Sequence, residues 1–287
     1  LKKVLPSVPF WAGGPEVSFD AEAFLAANPA FDGVMVGEGE ETFLELAGYY
    51  VDHRKSLEQI RGIAFRKENQ VLHNGWREIM DLSKVPFPYK DLQDFDHRII
   101  YYESSRGCPF SCSYCLSSVD KKLRFRSLDL VRKELQFFLD HKVPQVKFVD
   151  RTFNCKHDHA MAIWKYIVEH DNGVTNFHFE IAADLLREEE LELMATMRPG
   201  LIQLEIGVQS TNLKTLSAIH RKTDFSRICQ IVERIHSFGN IHQHLDLIAG
   251  LPYEDYDSFH HSFNDVYALR PQQFQLGFLK VLKGSLM

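Results

Sequence analysis

Short hydrophobic runs alternate with longer amphipathic stretches from residue 98 to the end of the chain. The short runs are rich in β-branched, aromatic and aliphatic residues, and they predict six strands. These strands cover residues 98–103, 145–150, 176–182, 201–208, 243–249 and 273–279. Helical spacing of apolar residues predicts six intervening helices, around residues 127–141, 157–170, 187–197, 211–218, 224–238 and 255–268.

Alternation of strands and helices is typical of parallel sheets with right-handed crossovers. Six units are too few to close an eight-unit barrel. We therefore predict an α/β fold in which residues 98–287 form a partial (β/α)6 barrel of the TIM type. Ligands of such folds bind at the carboxyl ends of the strands, so polar residues at those ends are the first candidates for a site.

The first 97 residues have a different pattern. A strand over residues 4–11, a helix over 19–27, a second strand over 33–36 and a helix over 40–50 are predicted. Residues 51–97 contain Pro86, Pro88 and several turn residues, which predict a small hairpin and a linker. Three segments result: residues 1–50, residues 51–97 and the partial barrel.

Composition and charge limit the domain organisation and the classes of partner. The 287 residues, 45% of them hydrophobic, suffice for one large domain or one domain with a smaller partner. A net charge of -6 favours neither nucleic acid nor an anionic membrane as a partner, and no apolar run approaches the roughly 18 residues of a membrane span. A basic stretch over residues 121–126 is interpreted as a solvated loop entering a helix, with an acidic substrate as the alternative.

Five cysteines, an odd number, fit a disulfide framework badly, and a cytoplasmic, reducing setting is predicted. Cys108, Cys112 and Cys115 lie within eight residues of one another in a loop rich in Gly, Pro and Ser. Three neighbouring thiolates indicate an iron-sulfur or zinc site. Zinc sites pair two short ligand motifs, and Cys155 or a histidine would have to complete one here. An iron-sulfur cluster on three thiolates instead leaves one iron open to bind a ligand.

The spacing Cys108-x-x-x-Cys112-x-Tyr114-Cys115 resembles the signature of the radical S-adenosylmethionine superfamily, which follows the first barrel strand. The resemblance implies a [4Fe-4S] cluster on the three cysteines, with Tyr114 beside the cofactor. It also implies that the open iron binds S-adenosylmethionine and that a reductant such as flavodoxin or ferredoxin supplies the electron. The 5'-deoxyadenosyl group released as a radical would then remove a hydrogen atom from a substrate that the sequence does not identify.

Polar residues follow the later strands where a cofactor site is expected. Carboxylates and carboxamides inside apolar strands are costly to bury without partners, so a bound polar ligand would explain them. These segments resemble the oxygen-independent coproporphyrinogen oxidases and methylthiotransferases. That resemblance assigns Glu180 and Asp246 to the ribose and adenosine region, Gln209 to the ribose and Arg221 to the methionine carboxylate. For Gln209 and Arg221 a purely structural role stays open.

After the second strand, the superfamily often has Gly-Gly-Glu, which holds the amino group of the methionine. Here residues 149–154 depart from that pattern and resemble an Asp-x-x-Phe variant of cobalamin-binding members, which makes Asp150 a candidate for the amino group. Cys155 lies near the presumed mouth of the site and could contact substrate. The histidines His242 and His244 lack the spacing of a metal motif and are interpreted as surface or satisfied groups.

Residues 12–17 and 32–42 resemble the last strand and helix of the Rossmann-like cobalamin-binding domain that precedes many radical domains. Their glycine spacing does not fit a nucleotide fingerprint, and the chain has no Asp-x-His-x-x-Gly cobalt-ligand motif. We expect residues 1–50 to be the remnant of such a domain in a truncated sequence; descent from cobalamin enzymes without use of cobalamin is the alternative.

Three functions remain open at this stage. The first is radical chemistry with cobalamin-dependent methyl transfer in the full-length protein. The second is cobalamin-independent oxidation, rearrangement or methylthiolation. The third is a zinc-stabilised binding module without turnover.

Overall fold

The computed structural model describes residues 2–92, 95, 98–118 and 122–287. These residues form two compact units, one of Leu1–Met80 with Val281–Met287 and one of Asp81–Lys280. The division at Met80 differs from the predicted boundaries at 50 and 97. The reason is that the predicted hairpin pairs with the amino-terminal strands and so belongs to their sheet.

The first unit is a four-stranded sheet with three helices. Its strands are β1 (Trp11–Gly13), β2 (Gly33–Met35), β3 (Ile63–Lys67) and β4 (Gln70–His73), and its helices are α1 (Pro15–Ser18), α2 (Ala21–Ala27) and α3 (Glu40–Asp52). β1 and β2 are parallel, and the β3–β4 hairpin is added antiparallel to β2. The strand predicted over 4–11 is wrong for most of its length, because residues 4–8 are exposed turns.

The second unit contains a six-stranded, fully parallel sheet. The strands of this unit are β5 (Ile100–Tyr102), β6 (Ser105–Arg106), β7 (Arg124–Phe125), β8 (Gln145–Phe148), β9 (Asn176–Ile181), β10 (Ile202–Gln209), β11 (His242–Ala249) and β12 (Gln273–Phe278). The sheet order β5-β8-β9-β10-β11-β12 follows the chain, whereas β6 and β7 form a separate antiparallel ladder. All six predicted strands are confirmed, and so is the α/β class with an open, partial barrel.

Six main helices lie between these strands, as predicted: α4 (Leu128–Asp140), α5 (His157–Glu169), α6 (Glu188–Ala195), α7 (Leu213–Ala218), α8 (Phe225–Phe238) and α9 (Tyr256–Tyr267). Side chains of Ser127, Asn212, Asp224 and Asp255 accept backbone N–H groups at the starts of α4, α7, α8 and α9, which fixes where these helices begin. No helix within the described ranges is long and apolar enough to cross a membrane.

Residues on β10 alternate strictly between two environments. Ile202, Leu204, Ile206 and Val208 are buried in the main core of this unit. The opposite face of the strand carries Gln203, Glu205, Gly207 and Gln209. Parallel pairing places Glu205 beside Glu180 of β9 and His244 of β11, so polar residues of three strands share one face of the sheet.

The basic stretch of residues 121–126 departs from the predicted solvated loop. Lys121 lies outside the described residues. Arg126 is buried, and its Nε donates to Oε2 of Glu134 at 2.7 Å. A guanidinium with a buried carboxylate partner holds the start of α4 in place, and it is not a free group for an acidic substrate.

Candidate functional site

The three cysteines lie in the loop that follows β6. Gly107, with φ of 96°, turns the chain into this loop in a conformation that favours glycine. Cys108 and Cys112 are buried and Cys115 is half-buried. The Cys115 N–H donates to the Cys112 carbonyl at 3.1 Å, which folds the ligand-bearing turn onto itself.

Arg221, in the loop after α7, joins the cysteine loop to the sheet. Its Nη1 lies 3.8 Å from Sγ of Cys112, and its Nη2 donates to the carbonyl oxygen of Gly207 on β10. The backbone makes a second link, because the Ser113 N–H donates to the Ile219 carbonyl at 2.9 Å. Tyr114 lies beside Arg221, and burial raises the pKa of its hydroxyl.

These residues fit an iron-sulfur cluster. Burial raises the pKa of Cys112, while the neighbouring Arg221 guanidinium acts in the opposite direction and favours the thiolate. Three thiolates in one partly buried loop, next to one cation, form the donor set of a cluster with an open iron. Zinc sites usually have four protein ligands, whereas this loop supplies three cysteines.

One cavity collects four of the residues predicted from the sequence. Glu180, Gln209, Arg221 and Asp246 all line it, together with Phe110 of the cysteine loop. Two further cationic residues, Arg151 and Lys222, also line the cavity. The cavity therefore lies between the cysteine loop and the carboxyl ends of β9, β10 and β11. The individual cofactor contacts of these residues stay predictions.

Gln209 has a strained backbone at this site. Its φ of 71° is unusual for a residue with a side chain, and the parallel pairing shifts register between Gly207 and Gln209. Its Oε1 is buried and, among the described residues, accepts no hydrogen bond. Gly207 leaves room for this arrangement, because a Cβ there would collide with Nε2 of Gln209. Strain and an unpaired acceptor in a cavity are features of ligand sites.

Asp150 is not brought into this cavity. Its side chain is fully buried and accepts hydrogen bonds from Ser104 N at 2.8 Å, Ser104 Oγ at 2.6 Å and Ser105 Oγ at 2.5 Å. Burial raises the pKa of Asp150 to about 6, although these hydrogen bonds oppose the rise. Its carboxylate thus fixes the two residues that lead into the cysteine loop. The predicted contact with the amino group of the methionine stays a prediction.

A cluster of ionisable side chains lies on the same face of the sheet. Nζ of Lys147 on β8 lies 2.9 Å from Oε2 of Glu205 and 3.9 Å from Oε1 of Glu180. Nε2 of His178 lies 2.9 Å from the same oxygen of Glu205. The contact with His178, together with Lys147, lowers the pKa of Glu205 to about 2. Glu180 is different, because burial and the charge of Glu205 raise its pKa to about 7.

Asp246 pairs with a histidine of its own strand, as Glu205 pairs with His178. Nε2 of His244 lies 3.0 Å from Oδ1 of Asp246, and this contact raises the pKa of His244. Burial raises the pKa of Asp246 itself. His244 is buried and pairs with Asp246, so of the two interpretations, surface group or satisfied group, the structure supports the second.

Sequence reasoning missed Lys147, His178 and Glu205 as members of the site. The signal was present, because Lys147 and Glu205 each alternate with buried apolar residues along their strands. Charged residues at every second position of a strand mark a second, polar face. Cys155 ends a short 3-10 turn after β8 and is half-buried, and its contact with substrate stays a prediction.

Sequence comparison identifies the family. The profile of the Radical SAM superfamily matches residues 102–266, more than half of the chain and all of the elements from β6 to α8. The match includes the cysteine loop and every residue named above as lining the cavity.

The curated relatives include proteins named methyltransferases, and others named magnesium-protoporphyrin IX monomethyl ester cyclases. An uncharacterised methyltransferase of Pyrococcus horikoshii is 27% identical over 252 residues, covering 84% of this chain and 54% of the relative. The cobalamin-dependent radical SAM methyltransferase TokK of Streptomyces tokunonensis is 26% identical over 281 residues, covering 90% of this chain and 40% of TokK. The chain thus spans about half the length, or less, of these relatives.

The fold is also that of a solved enzyme. The structure of the radical S-adenosylmethionine methyltransferase TsrM from Kitasatospora setae, with cobalamin and a [4Fe-4S] cluster bound, matches with a TM-score of 0.80 at 17% identity. The match covers 98% of this chain and 57% of TsrM, and at this identity it shows a shared fold. The cysteine motif, the partial barrel and the family profile agree, and the chain belongs to the radical SAM superfamily, whose cofactors are a [4Fe-4S] cluster and S-adenosylmethionine.

Proposed function

We propose that this chain is the cofactor-binding core of a radical S-adenosylmethionine methyltransferase. Cys108, Cys112 and Cys115 would hold the [4Fe-4S] cluster, and the neighbouring cavity would hold S-adenosylmethionine. The observation that carries this proposal is the position of Arg221, which contacts Cys112 and lines the cavity. One side chain therefore connects the cluster ligands with the cofactor cavity.

The cavity residues suit the parts of this cofactor. The forked guanidinium of Arg221 is suited to a carboxylate, here that of the methionine. Glu180, Gln209 and Asp246 offer oxygen acceptors for the ribose hydroxyls. When both cofactors are bound, they supply reductive cleavage of the sulfonium and removal of a hydrogen atom from a substrate. The protein orients the cofactor and limits the access of water.

Methyl transfer with cobalamin is the reaction that the relatives favour. The Pyrococcus protein and TokK are both named methyltransferases, and TokK is named cobalamin-dependent. Residues 1–50, with their parallel β1–β2 pair, are predicted to be the end of a cobalamin-binding domain. Since the chain spans only part of each relative, corrinoid content should be measured on protein from the complete reading frame.

The cluster is tested by oxygen-free reconstitution. We expect about four irons and four sulfides per chain, visible absorption, and release of 5'-deoxyadenosine from S-adenosylmethionine after reduction by flavodoxin or ferredoxin. Cys112→Ala should abolish the cluster, whereas Cys229→Ala, in helix α8 outside the cysteine loop, should retain it. Zinc in place of iron in an oxygen-free preparation would instead support a zinc-stabilised binding module.

Methyl transfer is tested separately. A protein that uses cobalamin as methyl carrier should contain bound corrinoid and form S-adenosylhomocysteine together with 5'-deoxyadenosine. Formation of 5'-deoxyadenosine alone, without corrinoid, would support radical oxidation or rearrangement instead.

A further inference from the structure

Lys147 connects two carboxylates that come from different strands. It lies on β8, whereas Glu180 lies on β9 and Glu205 on β10. Its ammonium contacts Glu205 at 2.9 Å and lies 3.9 Å from Glu180. The three side chains are largely buried, with exposed fractions of 24% for Lys147, 16% for Glu205 and 27% for Glu180. At this burial an ion pair is stronger than at an open surface.

The partners of Glu205 leave it little freedom to contact a ligand. One of its carboxylate oxygens is shared between Nζ of Lys147 and Nε2 of His178, each at 2.9 Å. Glu205 is therefore a fixed negative charge that holds Lys147 in place. Lys147 in turn is the cation that lies between Glu205 and Glu180. Both carboxylates line the cavity, but burial raises the pKa of Glu180, so Glu180 loses its charge more readily than Glu205 does.

A metal ion is the competing explanation for this cluster. Glu205, His244 and Asp246 place ligand atoms within 4.8 Å of one another. The ammonium of Lys147 already lies against Glu205, and a divalent cation bound there would be repelled by it. The cluster is better explained as one in which Lys147 supplies the positive charge.

Charged groups face Glu180 from every neighbouring element. Lys147 and Arg151 approach from β8 and the loop after it, Glu205 from β10 and Asp246 from β11. The two carboxylates disfavour the ionised form of Glu180, and the two cations favour it. Of the two cations, Arg151 lowers the pKa of Glu180 more than Lys147 does, but Arg151 is an exposed residue whose charge is screened by solvent and salt, so Lys147 is the buried cation in this balance.

We propose that Lys147 is a positioning residue of the cofactor cavity, which through its ion pair with Glu205 keeps the Glu180 carboxylate oriented and ionised for the ribose of S-adenosylmethionine. This inference rests on the proposed function of the cavity. An ionised carboxylate accepts hydrogen bonds from both ribose hydroxyls, and such charge-assisted bonds are stronger than those to a neutral acid. Loss of Lys147 should therefore weaken cofactor binding most where Glu180 becomes protonated.

The test is equilibrium binding of S-adenosylmethionine to the cluster-loaded chain between pH 6 and pH 9. Lys147→Met keeps the aliphatic stem and removes the charge. Removal of this cation should raise the pKa of Glu180 further, so that most of the carboxyl is protonated at pH 7 and the affinity falls about fivefold. The loss should disappear towards pH 9. Lys147→Arg should bind within about twofold of the wild type, because it keeps the charge.

Two controls separate the possible outcomes. Lys165→Met, at an exposed position of α5, should bind as the wild type does. In Glu180→Gln, the further change Lys147→Met should leave the pH dependence of S-adenosylmethionine affinity unaltered. If the wild type binds S-adenosylmethionine but Lys147→Met loses the same affinity at every pH, or loses none, the inference about Lys147 is overturned and the site itself is upheld. Failure of the cluster-loaded wild type to bind at any pH would instead refute the proposed function.

Discussion

Nη1 of Arg221 lies 3.8 Å from Sγ of Cys112 although 109 positions separate the two residues. The same guanidinium donates to the Gly207 carbonyl, so one side chain joins the cysteine loop, the loop after α7 and strand β10. Its Nε is buried and has no hydrogen-bond acceptor among the described residues. A ligand carboxylate in the adjoining cavity would satisfy this remaining donor.

Replacement of Arg221 by lysine should separate cluster assembly from cofactor binding. Lysine keeps a positive charge but cannot bridge two acceptors with a planar fork. We expect normal iron content and an affinity for S-adenosylmethionine reduced by about 1.5–3 kcal/mol, or roughly 10-fold to 150-fold. Iron analysis and equilibrium binding measure the two effects. Arg234→Lys, on the exposed side of α8, is the control and should change neither. Wild-type affinity in Arg221→Lys would contradict the assignment.

The sequence predicts the strands and the cluster ligands because both depend on local patterns. Cys108, Cys112 and Cys115 are recognisable from their spacing, and the barrel strands from their hydrophobic runs. The partners of Asp150 were not predictable, because Ser104 and Ser105 are 46 and 45 residues away and meet it only after β5 and β8 pair.

The polar cluster of Lys147, Glu180 and Glu205 could be predicted only in part from the sequence. Alternation along β8 and β10 marks Lys147 and Glu205 as members of a polar face, but only strand register brings them together. The burial of Arg126 depends in the same way on a tertiary contact, that with Glu134.

Replacement of Gln209 should affect protein stability and S-adenosylmethionine affinity in opposite directions. Gln209→Gly relieves a left-handed conformation at φ of 71°, worth about 1 kcal/mol, and removes the carboxamide from the cavity. We expect an equal or higher free energy of unfolding together with a severalfold weaker affinity for S-adenosylmethionine. Urea unfolding and equilibrium binding provide the two values.

The matched control is Lys142→Gly. Lys142 is exposed, has φ of 50° and lies between α4 and β8, away from the residues that line the cavity. It should gain stability to a similar extent and keep full affinity. If both variants bind like the wild type, the side chain of Gln209 has no part in cofactor binding.

The buried ion pair of Arg126 and Glu134 should be costly to break. Their side chains are 7% and 5% exposed, and Tyr102 also donates to Glu134, at 2.7 Å. Glu134→Gln leaves the guanidinium buried without a countercharge, which should lower the free energy of unfolding by about 3–5 kcal/mol. Glu188→Gln removes one member of an exposed pair with Arg234 and should cost less than about 1 kcal/mol. Equal urea midpoints for the two variants would show that burial does not strengthen the inner pair.

Asp150 should make stability depend on pH. Its pKa rises from 3.8 to about 6 on folding, so between these values the folded chain binds more protons than the unfolded chain. The free energy of unfolding contributed by Asp150 is therefore highest below pH 3.8 and falls as pH rises towards 6. Asp150→Asn removes this contribution, and urea unfolding of the cluster-free chain from pH 4 to pH 7 should show a shallower decline. Asp158→Asn, at an exposed position of α5, should follow the wild type.

Cofactor binding distinguishes two roles of Asp150, which are anchoring of Ser104 and Ser105 and direct contact with the amino group of the methionine. Both of its oxygens are occupied by Ser104 and Ser105, so we expect the affinity of cluster-loaded Asp150→Asn for S-adenosylmethionine to change by less than about threefold, the loss of one weak hydrogen bond. A loss of tenfold or more, with an unchanged pH profile of unfolding, would contradict the anchoring role. It would support direct contact between Asp150 and the amino group of the methionine, because such a contact contributes to binding and not to the stability of the cluster-free chain.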